Sequence, residues 1–569
     1  MPAVLCLDLG TSAAKGSLIE LDGTVTARAS RGYPTHHPEP GGAEQDPQDW
    51  IDAVRAVISE LRASPRPSPL QRGELLALSL TGQMQDLVPA TSPAEPSPAP
   101  AILYSDTRAA EDAAAVRRHL AAQGLDWDAL TGNLQDATSC AAMFRRLART
   151  RPELTAGARH VLFGPAGYLA HRLELGAWCD PTTAAATGLL DARRREWSAP
   201  VARAAGLEPG LLPRLTADAG QVIGRTDAAA SALLGLPAGI PVVLAPGDAG
   251  ATTAGIIGLT PGDDYAYLGT SGWIATVLPT GAGTLADGDA GTSHHLALGA
   301  IRGAHGTHRV DGGGSSDAGS ARAASPCSVL RISALLAAGA AADWARHALL
   351  DGVTPQAADA LLEQRERCRG RGPTGLLALP SILGERYPVR DAELRGALIG
   401  MGPETTAIDM YAAVLEGVAH ALAHALDPAP ALDPAPAPDP ALAGAGAAPD
   451  GGAAGAQGSA AFGTAESGSQ DPRPLAVTGG GADSQPWLRI LADVTGRPVR
   501  TLDSADAALV GCAILAADAL GVPHGILPLA ARDSARSIHP DPVAAASHAA
   551  LRPAHRALYT AVAEVRALQ

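Results

Sequence analysis

The tetrapeptide Leu-Gly-Thr-Ser occurs at 9–12 and again at 268–271, each time between two strand-like runs. The first setting is VLCLDLGTSAAKGSLIEL and the second is YAYLGTSGWIATVL. One copy is an ordinary hairpin turn. Two copies, one early in each half, predict a duplicated half-domain. The period is too long for a solenoid, so two lobes facing each other across a cleft are expected. The length agrees, because 569 residues exceed what one hydrophobic core organises.

Around the first copy the pattern predicts strands over 3–9, 15–21 and 24–30, joined by Gly10-Thr11-Ser12 and Asp22-Gly23. Asp46 followed by Pro47 reads as a helix start. Trp50, Ile51, Val54, Ile58 and Leu61 then recur at helical spacing. Residues 75–81 form the next strand and run into Gly82-Gln83-Met84. Strands mixed with amphipathic helices indicate an α/β fold. Residues 62–72, 90–100, 303–326 and about 427–473 are rich in Pro, Ser, Gly or Ala. They are expected to be mobile excursions from the fold.

A tight Gly-Thr-Ser turn presents successive backbone N–H groups to one side, which suits phosphate. Asp8 precedes the first turn, and a carboxylate beside phosphate calls for a cation between them. Its alternative is a capping role at a strand end. In PVVLAPGDAGATTAGIIG (241–258) a strand runs into Asp248 ahead of small residues. Asp248 accepts a proton from a substrate hydroxyl, caps the helix starting near Ala249, or does both. In LAVTGGGAD (475–483) a strand meets three glycines. That run fits a flat ligand, a tight turn or a dinucleotide fingerprint equally well.

The net charge of −15 argues against a nucleic-acid surface. The six cysteines form no C-x-x-C pair, which fits reduced thiols in a cytoplasmic protein. Neither a signal peptide nor a membrane span is evident. Lys15 is the only lysine, which reflects coding bias rather than chemistry.

Taken in order, these segments resemble the FGGY carbohydrate kinases, of the actin-like and sugar kinase superfamily, and within that family most closely the xylulokinases. The landmarks are DLGTS at 8–12, EQDP at 44–47, GQM at 82–84, ILYSDTR at 102–108 and TGN at 131–133. They continue with GDAGATTAG at 247–255, YLGTSG at 267–272, LGER at 383–386 and TGGGAD at 478–483. The long signature running from Gly396 and Gly400 through Asp409 to Glu416 is also present.

The resemblance implies two ribonuclease H-like domains with an interdomain cleft. Residues 1–258 would form the sugar-binding half and 259–569 the nucleotide-binding half. It implies ATP and Mg²⁺, a small sugar substrate and no membrane partner, and dimers are common in the family. Asp248 is implied as the catalytic base, and Asp8 as the carboxylate that orients Mg²⁺ through water. Gly10, Thr11, Ser12, Lys15, Gly269, Thr270 and Ser271 would line the phosphates. Gly479, Gly480, Gly481 and Ser484 would border the adenosine, and Gln83, Met84 and Gln85 the sugar.

Two positions depart from the xylulokinase pattern: Gln85 replaces a usual His, and Ala249 replaces a usual Asn. Both bear on which sugar hydroxyls are read. D-Xylulose phosphorylated at O5 is the leading expectation, ahead of ribulose, gluconate or another polyol. The competing class is a non-catalytic actin-like sugar sensor, which has no need of Asp8 and Asp248 together.

Overall fold

The strand Ala3–Leu9 is buried along its whole length apart from partly covered Asp8, as its unbroken apolar run requires. It pairs antiparallel with Ala13–Glu20, placing Asp8 opposite Lys15, and that strand pairs with Val25–Gly32. On its other side lies Leu75–Gly82, parallel to it, with Leu9 opposite Gly82. Pro241–Leu244 adds in parallel to Leu75–Gly82, and Gln221–Arg225 closes the edge antiparallel. The three expected antiparallel strands and the next strand are therefore present, and that next strand joins in parallel.

The computed structural model describes residues 1–63, 69–280, 291–301, 327–426, 473–503, 505–532 and 537–568. The chain forms two compact units. The first comprises Met1–Ala334, Ala476–Gly480 and Thr501–Arg536, and the second Leu335–Leu475, Gly481–Arg500 and Ser537–Gln569.

The first unit repeats its opening pattern. Asp264–Leu268 pairs antiparallel with Gly272–Pro279 and parallel with the strand ending at Thr478. In both copies, a glycine at the end of the parallel neighbour or just beyond it is pressed against the hairpin. A Cβ on Gly82 would lie 2.6 Å from the Leu9 carbonyl oxygen, and one on Gly479 2.5 Å from that of Leu268. Each contact is closer than any side chain permits. The duplication read from the tetrapeptide thus extends to strand order and to the glycine beside each turn.

Asp46 caps the helix Pro47–Arg62 by accepting from the Gln48 N–H at 2.8 Å. That helix buries Trp50, Ile51, Val54, Val57, Ile58 and Leu61. Two further helices of this unit, Asp248–Ile256 and Ala507–Ala519, cross at Gly255 and Gly511.

In the second unit the helix Ala407–Leu426 is buried on nearly every face. It packs on Gly339–Leu349 and Gln485–Thr495. The signature residues hold this unit together. Asp409 accepts from Arg365 at 2.8 Å, and Glu416 accepts from the Thr374 hydroxyl at 2.9 Å.

One expected excursion is fixed in place. Within 90–100, Ser97 bonds Pro89, Ala99 and Tyr168, and Arg172 donates to Pro93 at 3.0 Å. Local hydrogen bonding replaces the apolar burial this segment lacks. Residues 303–326, most of 427–473 and the middle of 62–72 lie outside the described residues. No helix among the described residues is long and apolar enough to cross a membrane, and the six cysteines are free thiols.

Candidate active site

The first turn is braced from behind. The Tyr33 hydroxyl donates to the Gly10 carbonyl, and Gln45 Nε2 donates to the Thr11 carbonyl at 2.7 Å. Two carbonyls are thereby held by side chains of the fold. Ser12 is exposed, and Gly10 and Thr11 are partly so. In the second turn Gly269 N–H donates to the Ser271 carbonyl at 2.9 Å, and Thr270 is exposed. Tyr267 and Trp273 flank that turn as a stacked pair with centroids 3.8 Å apart.

Asp8 has one carboxylate oxygen, Oδ1, buried without a hydrogen-bond partner. The strand-end capping alternative therefore has no bond to that oxygen. Burial pushes the Asp8 carboxyl above its ordinary value, and Lys15 across the hairpin partly offsets this.

The helix carrying Asp248 starts at Asp248 itself, with Gly247 as the capping residue. Asp248 is therefore not the cap, and its carboxylate accepts only from the adjoining Ala249 N–H, at 2.7 Å. Burial first, then the negative charges of Asp8 and Asp180, push its carboxyl up to about 7. The two expected carboxylates thus sense one another within one unit.

Two further acids stand beside them, and the sequence reading missed both. Asp180 caps the helix Pro181–Ala186 through the Thr183 N–H at 2.9 Å, and it also accepts the Gly247 N–H at 3.0 Å. Its signal was Asp-Pro, the same start that Asp46-Pro47 shows. Asp86 is fully buried, with Oδ1 accepting from Tyr104 N–H at 3.3 Å and Oδ2 unpartnered. Burial, together with Asp248, pushes it well up.

The residues expected at the sugar behave differently from one another. Met84 packs on Gly247, leaving no room there for a side chain. Gln85 sits at φ 65° and turns its Nε2 to the Thr138 carbonyl at 2.7 Å. Its amide donors therefore serve the protein. Gln83 is 2% exposed and donates to Gln45 Oε1 at 2.9 Å.

Of the glycine run, Gly479 lies against Leu268 and the Gly269 nitrogen, beside the second turn. Gly480 is exposed in the same unit. Gly481 and Ser484 belong to the second unit. There Ser484 caps the helix Gln485–Thr495 and donates to Asp359 at 2.6 Å, so its hydroxyl is already engaged.

Two carboxylates next to a backbone-lined turn, repeated by a second turn, are what phosphoryl transfer needs. The model of the FGGY family of carbohydrate kinases, N-terminal domain, matches residues 3–255, and that of its C-terminal domain matches 321–520.

The chain belongs to the FGGY family of carbohydrate kinases.

It has the two-domain fold of that family and is a carbohydrate kinase. A Staphylococcus xylosus protein named xylulose kinase is 23% identical over 91% of both chains. The crystal structure of a xylulose kinase from Rhodospirillum rubrum has a TM-score of 0.76 and 26% identity over 99% of both chains. The structure of a gluconate kinase from Lactobacillus acidophilus has a TM-score of 0.71 and 22% identity, covering 99% of this chain and 98% of that one, a likeness of fold. FGGY kinases use ATP as phosphate donor.

Proposed function

We propose that this kinase phosphorylates a neutral ketose, with D-xylulose to D-xylulose 5-phosphate as the first choice. The observation that carries the reading is the Asp248 carboxyl, pushed up to about 7 beside Asp8. A base poised near neutrality accepts a hydroxyl proton most effectively. In the proposed step the sugar O5 attacks the γ-phosphorus of ATP. The O5–H bond breaks and its proton passes to Asp248. The bond from the γ-phosphorus to the bridging oxygen breaks, and ADP leaves with that electron pair.

Gly10, Thr11, Ser12 and Lys15 are assigned to the phosphates, as are Gly269, Thr270 and Ser271. Gly479, Gly480, Gly481 and Ser484 are assigned to the adenosine, with the Ser484 role limited by its bond to Asp359. Met84, Gln83 and Gln85 are assigned to the sugar. Residues 1–258 are read as the sugar half and 259–569 as the nucleotide half, in a cytoplasmic enzyme.

Asp8 fits a Mg²⁺ site of the phosphate-shared kind. Its Oδ1 is buried and lacks a partner. No cluster of three His, Cys, Asp or Glu among the described residues is arranged to hold an ion alone. Mg²⁺ is bound in such sites by one or two carboxylates, phosphates and water. When bound it supplies charge neutralisation at the transferring phosphoryl group.

The test is ADP release by the full chain over D-xylulose, D-ribulose, glycerol and D-gluconate. Sugar-dependent turnover, fastest with D-xylulose, is expected. No turnover above background with any of them would falsify the reading.

A further inference from the structure

Gln45 is fully buried and saturated with hydrogen bonds. Its Oε1 accepts from Trp50 Nε1 at 2.9 Å and from Gln83 Nε2 at 2.9 Å. Its Nε2 donates to the Thr11 carbonyl at 2.7 Å and to the Thr35 hydroxyl at 2.8 Å. An indole N–H only donates and a backbone carbonyl only accepts. Trp50 therefore fixes where the Gln45 oxygen lies, and Thr11 fixes where its nitrogen lies. A flipped amide would oppose both partners.

That orientation dictates the next one. The Gln45 oxygen only accepts, so Gln83 must face it with its NH₂ group. The Gln83 carbonyl oxygen then points away from Gln45, and it is buried without a hydrogen-bond partner. Its backbone is held as well, since the Gln83 N–H donates to the Leu9 carbonyl at 2.9 Å. A buried acceptor without a donor is costly, and a hydroxyl supplied by a ligand removes that cost.

Gln83 also lines a small cavity with Phe163, Trp178, Asp180, Thr183 and Gly247. The one charged side chain among its described lining residues is the carboxylate of Asp180. A hydroxyl brings the missing donor to such a wall. A carboxylate brings only acceptors and a like charge.

We propose that Gln45 is a positioning residue that sets the Gln83 amide with its carbonyl toward the sugar, selecting neutral polyhydroxyl substrates over sugar acids. This rests on the reading of Gln83 as a sugar-facing residue. Gln45 also holds Thr11, so it links the sugar loop to the first phosphate turn.

The experiment is steady-state ADP release by the full chain, varying D-xylulose and D-gluconate at saturating ATP. Wild type is compared with Gln45→Met, Gln83→Leu and the double variant, with thermal melts alongside. The wild type is expected to favour the neutral ketose by about 100-fold or more in kcat/KM. Gln45→Met is expected to raise the sugar KM by about tenfold. The double variant should match Gln83→Leu within about threefold, because both substitutions remove one arrangement.

If Gln45→Met does not fold, Trp50→Phe deletes one donor and keeps an aromatic ring against Tyr168. It is expected to raise the sugar KM about threefold or more without lowering ATP affinity. An unchanged sugar KM in a folded variant, or fully additive effects, overturns the positioning role. A wild type that prefers gluconate overturns the selectivity while leaving a sugar kinase in place. A wild type with no sugar-dependent turnover points instead at the reading of the site itself.

Discussion

Asp180 accepts the Gly247 N–H at 3.0 Å, which ties the residue immediately before Asp248 to the start of another helix. The Asp248 carboxylate has a single bond of its own, to its neighbour Ala249. Its direction is therefore set largely by this tether and by Met84 packed on Gly247.

Asp180→Ala is predicted to lower kcat by about tenfold to a hundredfold, since small misplacement of a base is expensive in rate. The sugar KM should change less than kcat. Asp248→Ala should lower kcat by at least about a thousandfold, with a thermal melt close to wild type. Near-normal turnover in Asp248→Ala would remove Asp248 from the role of base.

The pH dependence of the rate and of the Asp248 contribution to stability should run in opposite directions. Asp248 must be ionised to accept a proton, so kcat/KM is predicted to rise as pH passes through about 7. The same carboxyl is raised above its ordinary 3.8 in the fold. The folded state holds the proton that the unfolded state has released. Its stabilising contribution is complete below about 3.8 and is lost as pH rises through about 7. Glu385, raised to about 7, and Glu416, raised to about 8, add loss in the same direction. Asp8→Asn should move the lower inflection of a pH–rate profile downward in any residual activity, because one of the charges raising Asp248 is removed. An inflection that stays in place would show that the Asp8 charge does not set it, leaving burial and Asp180.

Much of the arrangement around the candidate site was legible because its parts are local. Asp8, the Gly10–Ser12 turn and Asp248 lie at strand ends, where alternation and turn residues announce them. Asp180, Asp86 and Gln45 were not legible as site residues. Their significance comes from partners far off in sequence, such as Gly247 for Asp180 and Gln83 for Gln45. Ser484 has a second local role that its position after the glycine run did not announce: it caps the helix Gln485–Thr495.

A buried histidine cluster in the second unit makes a contribution to stability that is lost in acid. His420 and His424 on one helix meet His548 and His555 on the helix Pro542–Ala567. His424 Nε2 and His555 Nδ1 lie 3.0 Å apart. Burial and mutual repulsion push His424 down to about 3, and burial is the main cause that pushes His548 and His555 down to about 4. Arg552 and Arg556 add to the repulsion at His424. A lowered base is held neutral by the fold and charges on unfolding. Its contribution is present above about 6.5 and is lost as pH falls through about 4. Between pH 6.5 and 4 this loss opposes the gain from the raised carboxyls, so the difference between variants is the test: in denaturant melts His424→Phe should lose less stability, or gain more, than wild type as pH falls over that range. An unchanged slope would mean these rings titrate freely.

The crossing of Asp248–Ile256 with Ala507–Ala519 supplies the last test. A Cβ on Gly511 would overlap the Ala251 carbonyl oxygen, and one on Gly255 would overlap that of Ala507. Backbone atoms line both contacts, so no rotamer change relieves them. The helices must move apart, or the substituted residue must distort its own turn. Gly511→Ala is predicted to destabilise by at least about 1–3 kcal/mol, read as a lowered melting temperature. The consequence reaches catalysis because Asp248 begins the first of these helices. A shift of that helix moves Asp248, the proposed base, relative to Asp8, so kcat should fall with stability in Gly511→Ala and in Gly255→Ala alike. At Gly157, where nothing lies within 4 Å of an added Cβ, the same substitution should change neither quantity measurably. A Gly511→Ala enzyme with wild-type melting and wild-type kcat would show that the crossing tolerates separation, and that the position of Asp248 does not depend on it.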